Sequence, residues 1–237
     1  MTRIARVVMP DVAHHITQRG IRRSNVFLDE ADRQMYLGLF LEDSRRFLLH
    51  ILAYCLMTNH VHFVAVPERK DSIWKTFHRC HSAYAMAFNK KYGFSGHLWQ
   101  SRPFSCVLDE AHQWAAVRYV ELNSVRAGMV LLAEDFRWSS ARAHCGIHDD
   151  PLVDPDWPPS GSIVDWKAWL RDRSEIPHID RLIRQNTTTG RPCGNEEFVK
   201  LVGSTLKREL GKKKPGPKVK HVPKEDATEW TSDEIQI

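Results

Sequence analysis

Ile51-Leu-Ala-Tyr-Cys-Leu-Met-Thr-Asn-His-Val-His-Phe-Val-Ala-Val66 is long, apolar and rich in β-branched and aromatic side chains. Those properties suit buried strand, and Thr58-Asn59 supplies a tight turn that would divide the run into two strands. Side chains alternate faces along a strand, so His60 and His62 project together while Val61 points into the core. Two imidazoles side by side on a rigid strand are a natural pair of metal ligands. A plain polar strand face is the alternative that spacing alone leaves open.

Working outward, His14-His-Ile-Thr-Gln-Arg-Gly20 has the character of a preceding strand. Asp29 caps a helix whose core face is Tyr36, Leu39, Phe40 and Phe47. After the histidine segment, Asp71-Ser72 opens a second helix with Ile73, Phe77, Cys80, Tyr84 and Phe88 at helical spacing. Residues 93–102 form a loop, and Phe104-Ser-Cys-Val-Leu108 is a short strand. The order predicts an α+β fold, an antiparallel sheet with helices packed on one face.

Ala115-Ala-Val-Arg-Tyr-Val-Glu-Leu-Asn-Ser-Val-Arg-Ala-Gly128 then follows Asp109-Glu110, a good helix start, and meets Gly128, a good stop. Ala116, Val120 and Ala127 make its apolar stripe, and Tyr119 and Asn123 lie one turn apart on the flank. There they can face a groove, or simply pair at the edge of the core. Glu121 leaves the helix on another side and is read as a structural partner.

The catalytic core is placed at residues 1–148, followed by a connector over 149–190 that contains a short helix from Asp165. Thr187-Thr-Thr-Gly-Arg-Pro192 is read as a second linker, and Glu196 to Leu210 as a last helix within a basic extension, 191–220. Residues 221–237 lack an apolar pattern, and disorder is expected there.

A hydrophobic content of 42% with eight tryptophans says globular for most of the 237 residues. No stretch approaches a membrane span and the N-terminus lacks a secretory apolar region, so a cytoplasmic protein is expected. Five scattered cysteines without a Cys-x-x-Cys pair argue against a disulfide framework and a zinc ribbon. Residues 207–220 carry seven basic side chains against Glu209, a net +6 in a chain of net +5. With Arg3, Arg6, Arg19, Arg22 and Arg23 near the other end, basic termini on a near-neutral body suit a polyanion such as DNA or RNA. No phosphate-cradling glycine loop is present, so no nucleotide cofactor is implied.

Taken together, His60-Val-His62 on a strand and Tyr119-Val-Glu-Leu-Asn-Ser-Val-Arg-Ala-Gly128 on a later helix resemble the single-tyrosine HUH transposases, the IS200-like family. Within it the chain most resembles the REP-associated tyrosine transposases. Met9-Pro10, Gly96-His-Leu-Trp-Gln-Ser-Arg102, Trp138-Ser-Ser-Ala141, Thr189-Gly-Arg-Pro192 and Lys214-Pro-Gly-Pro-Lys218 extend the likeness over about residues 1–220. Two departures are Thr58 and Ser124, where the family often has proline.

The resemblance implies a ferredoxin-like sheet and a metal-dependent single-stranded DNA endonuclease and strand transferase. Tyr119 would be the nucleophile, forming a 5′-phosphotyrosine intermediate. His60, His62 and Asn123 would hold Mg²⁺ or Mn²⁺. The implied substrate is a short imperfect hairpin in single-stranded DNA, and the implied state a monomer. Arg19, Arg22, Arg23, Trp99 and Arg102 are candidate DNA contacts, with Lys212, Lys213, Lys214 and Lys218 gripping the stem. Two other readings stand beside this one: a non-catalytic DNA-binding regulator, and a metal-dependent nuclease in which water attacks and Tyr119 only packs.

Overall fold

In the computed structural model, residues 6–172 and 176–211 are described. Four strands, β1 (His14–Arg19), β2 (Leu49–Met57), β3 (His60–Pro67) and β4 (Phe104–Val107), form one sheet in the order β2-β3-β1-β4. Every pairing is antiparallel. With α1 (Glu30–Arg46) between β1 and β2 and α2 (Ser72–Tyr92) between β3 and β4, this is the β-α-β-β-α-β order of the ferredoxin-like fold.

The α1 helix starts at a capping box in which Asp29 accepts from the Asp32 N–H while Asp32 bonds back. It buries Tyr36 and Phe40, with Phe40 stacked on Phe63 of β3 at 4.2 Å. The expected stripe of α2 is buried in full, Ile73, Phe77, Cys80, Tyr84 and Phe88, and the helix ends at Gly93 in the left-handed region, φ 68°. Such aromatic packing contributes about 0.5–1.5 kcal/mol per pair beyond burial.

The opposite face of the sheet is also covered, which the expected arrangement with helices on one face did not include. There α3 (Glu110–Glu121) packs on β1, β2 and β3, and α7 (Ile176–Thr189) packs on β4, β1 and α3. The short α4 (Asn123–Arg126) continues α3, because Leu122 N–H bonds Arg118 O at 3.0 Å and Arg126 N–H bonds Leu122 O at 2.9 Å. Tyr119 and Asn123 therefore stay one turn apart.

Packing does not stop at residue 148. Asp150 accepts from the Tyr54 hydroxyl at 2.6 Å, and β-bridges join Ile51 to Val153 and Leu108 to Cys193. Near α5 (Ala141–His144) and α6 (Trp166–Arg171), Trp114, Trp157, Trp166 and Trp169 form an aromatic cluster. Beneath it, the fully buried Glu121 carboxylate accepts from Ser140 Oγ (2.6 Å), His144 Nδ1 (2.6 Å) and Trp166 Nε1 (2.7 Å). Glu121 is thus the structural partner its helix position suggested.

The stretch expected as a second linker is instead the end of α7. Thr187, Thr188 and Thr189 turn their hydroxyls back to the carbonyls of Ile183, Arg184 and Gln185, the helical i−4 bond open to threonine. The last helix, α8 (Glu196–Thr205), is capped by Asn195 and ends before the expected Leu210. Among the described residues no helix is long and apolar enough to cross a membrane.

Candidate active site

Strand alternation puts His60 and His62 on the sheet face that α3 and α7 cover. In the ladder His60 stands opposite Arg19 and His62 opposite Thr17, so β1 brings His15, Thr17 and Arg19 to the same side. From α3, the Tyr119 ring meets His62 edge-on at 5.7 Å and His15 at 5.6 Å. Tyr84 and Tyr92 are elsewhere: Tyr84 donates to Val26 O within the core, and Tyr92 bonds Asp29 and Asp32.

Hydrogen bonds fix the protonated nitrogen of each histidine. Thr187 gives its hydroxyl proton to Ile183 O at 2.7 Å, so toward His15 Nδ1, 2.7 Å away, it acts as acceptor. His15 Nδ1 therefore carries the proton and its Nε2 is a lone pair, which accepts from His62 Nδ1 at 3.0 Å. His62 is thereby held with Nε2 unprotonated. His60 reaches the same tautomer because its Nδ1 donates to Asn59 Oδ1 at 2.6 Å. Asn59 in turn donates to Arg23 O at 3.1 Å, tying the ring to the turn after β1.

Burial opposes charge on these rings. The His60 pKa is pushed down to about 4 by burial first, then by the nearby Arg19 and Arg184 charges. His15 is pushed down to about 3 by burial and then by Arg126. His62 lies well below its usual value, by burial first and then by its charged neighbours. Neutral imidazoles with a free Nε2 are the form that binds metal.

Tyr119 is 4% exposed, and its hydroxyl accepts from Arg184 Nε at 3.1 Å. Arg126 lies over the ring, 4.3 Å from its centroid, and donates to the Tyr119 backbone oxygen, to Asn123 Oδ1 (3.2 Å) and to Asp180 (3.1 Å). Asn123 is 8% exposed, and its Nδ2 is buried with no partner among the described residues.

Two imidazoles with free Nε2 atoms suit a divalent cation, and one turn beyond Tyr119 the Asn123 amide is left half satisfied. No cluster of three His, Cys, Asp or Glu suited to a metal occurs among the described residues, so a third protein ligand would be of another type, as expected of Asn123. Its oxygen is engaged with Arg126, and coordination would exchange that bond for the metal.

The candidate DNA contacts divide. Arg22, Arg23 and Arg102 are exposed, and Arg19 is half-buried beside His60. Arg22 and Arg23 sit in the left-handed region, φ 51° and 64°, at the turn that Asn59 anchors. Trp99 does not present a free face. It is 9% exposed and stacked on His81 at 4.1 Å, so its loop position did not make it a stacking platform. Lys212, Lys213, Lys214 and Lys218 lie outside the described residues. Spacing alone assigns Asn59 only to the turn, His15 only to the first strand, and nothing to Arg126 or Arg184.

Comparison with known proteins agrees with this geometry. Residues 9–123 match the family model described as Transposase IS200 like. Among solved structures, the chain is similar to one described as the REP-associated tyrosine transposase bound to a REP hairpin. That match has a TM-score of 0.52 and 19% identity, and covers 66% of this chain and 93% of the other. A putative transposase from Deinococcus radiodurans R1 matches at 16% identity and a TM-score of 0.36, covering 51% of this chain and 96% of the other. No curated protein matches. The ferredoxin-like sheet, the two histidines on β3 and the tyrosine packed edge-on to His62 all fall within residues 9–123, the part of this chain that matches the IS200-like transposase family.

Proposed function

We propose that the protein cuts and rejoins single-stranded DNA through a covalent bond to Tyr119. The observation that carries this reading is the seating of Tyr119 edge-on to His62, its hydroxyl held by a guanidinium. In cleavage Tyr119 Oη loses its proton to water and attacks phosphorus, the bond from phosphorus to the 3′ oxygen breaks, and that oxygen takes a proton from water. The 5′ side stays on Tyr119 as a phosphodiester. In rejoining, a 3′-hydroxyl loses its proton to water and attacks the same phosphorus, and the electron pair of the broken P–Oη bond returns to the phenol oxygen, which takes a proton from water. Each step exchanges one ester for another, so no ATP is needed.

When bound, Mg²⁺ or Mn²⁺ supplies Lewis-acid polarisation of the scissile phosphate; His60, His62 and Asn123 are the residues that would hold it. The remaining work belongs to the protein. His15 and Asn59 keep the histidine rings in one tautomer, and Arg126 braces the Tyr119 ring. Arg19, beside His60, is placed to meet the strand next to the scissile phosphate, and Arg22, Arg23 and Arg102 offer exposed positive charge to its backbone. A short DNA hairpin is the substrate we assign, supported by the fold shared with the hairpin-bound protein and by the basic residues beyond 206.

The test is a denaturing gel of purified protein with labelled single-stranded hairpin DNA from the flanks of its own gene. It is run with Mn²⁺ or Mg²⁺, beside Tyr119→Phe. A slow, protease-sensitive band lost in Tyr119→Phe is the expected result. Metal-dependent cleavage that survives Tyr119→Phe with no such band would replace this reading with water attack.

A further inference from the structure

The α7 helix lies beyond the residues matched by the family model, yet one of its side chains reaches the reacting oxygen. Arg184 Nε is 3.1 Å from Tyr119 Oη, and its guanidinium carbon is 5.5 Å from the ring centroid. The other arginine at the ring differs in kind. Arg126, its side chain 24% exposed, is fully committed, tied to Asp180, Asn123 and the Tyr119 backbone. Arg184 is exposed, and among the described residues its terminal amino groups have no hydrogen-bond partner. It is also close enough to His60 for its charge to act on that ring. The side chain therefore has one donor on the phenol oxygen and the rest of its fork uncommitted.

We propose that Arg184 is a catalytic residue of the transesterification, holding the Tyr119 oxygen and taking up the negative charge that develops on it. This rests on Tyr119 being the nucleophile. As Tyr119 attacks, its proton is lost to water and charge gathers on Oη before the bond to phosphorus is complete. As a 3′-hydroxyl displaces it, the electron pair of the P–Oη bond returns to the same oxygen. A fixed N–H donor in a site where Tyr119 is almost wholly shielded from water favours both transition states. The two terminal amino groups suit the charge that a non-bridging phosphate oxygen gains only as the transition state forms, an interaction that raises the rate without adding to hairpin affinity. The helix that carries Arg184 thus completes the active site rather than linking it to a separate extension.

The test uses the full chain with Mn²⁺ and labelled hairpin DNA, comparing Arg184→Gln, Arg184→Lys, Tyr119→Phe and wild type. Adduct formation and hairpin affinity are measured in parallel. Arg184→Gln should form the adduct about 100-fold more slowly, the usual loss for one donor to a developing oxyanion. Arg184→Lys keeps a cation and an N–H, and should recover about 10-fold or more of that loss, with hairpin affinity in both variants near wild type. An Arg184→Gln rate near wild type overturns the inference and leaves the Tyr119 reading standing. Equal losses in Lys and Gln overturn it too, as does a rate loss matched by lost affinity, because either outcome makes Arg184 a docking contact. Absence of any Tyr119-dependent adduct in wild type removes the underlying reading, and this inference with it.

Discussion

Replacing His15 with phenylalanine tests the relay that fixes the His62 tautomer. The substitution keeps a ring against Tyr119 and His62 but removes the acceptor 3.0 Å from His62 Nδ1. Thr187 is little affected, because its hydroxyl still donates to Ile183 O. His62 then has two options. It can keep its Nδ1 proton, leaving a buried N–H unpaired at a cost of about 1–3 kcal/mol. Alternatively, it can move the proton to Nε2, which removes that nitrogen as a metal ligand. Either way the metal-competent form loses ground, and loss of such a supporting partner typically costs about 10–100-fold in metal affinity. Mn²⁺ titration followed by electron paramagnetic resonance should show that weakening in His15→Phe, with near-native circular dichroism. His60→Ala and His62→Ala, tested alongside, should lose binding outright. Binding within about twofold of wild type in His15→Phe would refute the relay, since half a kcal/mol is below what an orphaned buried N–H costs.

Three further outcomes follow from packing and charge. Glu121→Ala removes the carboxylate acceptor of three buried donors, stranding His144 and Trp166, and should lower unfolding free energy by about 3–5 kcal/mol in urea titration, whereas Glu121→Gln, which keeps an acceptor oxygen, should lose less. Gly20→Ala should cost about 1–3 kcal/mol in the same assay, because its Cβ would lie 2.3 Å from the Ser24 carbonyl oxygen; unchanged stability would mean the turn is slack. Acid should destabilise the fold, since burial holds His14 at about 4 and His15 and His81 at about 3, below the 6.5 of the unfolded chain. Below pH 6.5 the unfolded state binds the extra protons, so stability falls as pH falls toward 4, by about 2 kcal/mol per group at pH 5. Equal urea midpoints at pH 7.5 and pH 5 would contradict that.

What the sequence makes legible follows from the range of the forces involved. Switches of period between 2 and 3.6 mark β1 to β4, α1 and α2, and the burial of Ile73, Phe77, Cys80, Tyr84 and Phe88 is local periodicity made visible. The turn at Thr58-Asn59 and the caps at Asp29 and Asp109 are likewise local. Illegible features depend on partners far away along the chain. Arg184 meets Tyr119 across 65 residues and Thr187 meets His15 across 172, and neither pairing leaves a trace in spacing. The end of α7 was obscured by its own composition, because Thr-Thr-Thr-Gly-Arg-Pro has the β-branching and punctuation of a linker. Trp99 misled in the opposite sense: a loop aromatic was expected outside, but His81 offered it a partner within.

The family-matched residues end at Asn123, yet most of what holds the reactive groups comes later. Arg126 and Arg184 flank Tyr119, Thr187 anchors His15, and Ser140, His144 and Trp166 satisfy Glu121, two residues beyond Tyr119 on the same helix. A ferredoxin-like sheet with helices on one face leaves its other face wet, where the attraction between a guanidinium and a developing oxyanion is weakened by solvent. Covering that face with α3 and α7 leaves Tyr119, His62 and Asn123 each less than a tenth exposed. The same donors are worth more there, but the neutral histidine pair then needs the His15 and Asn59 bonds to satisfy its buried nitrogens. With Tyr119 as the nucleophile, the sheet would supply position and the later helices the environment, and the chain beyond Asn123 would then belong to the chemistry.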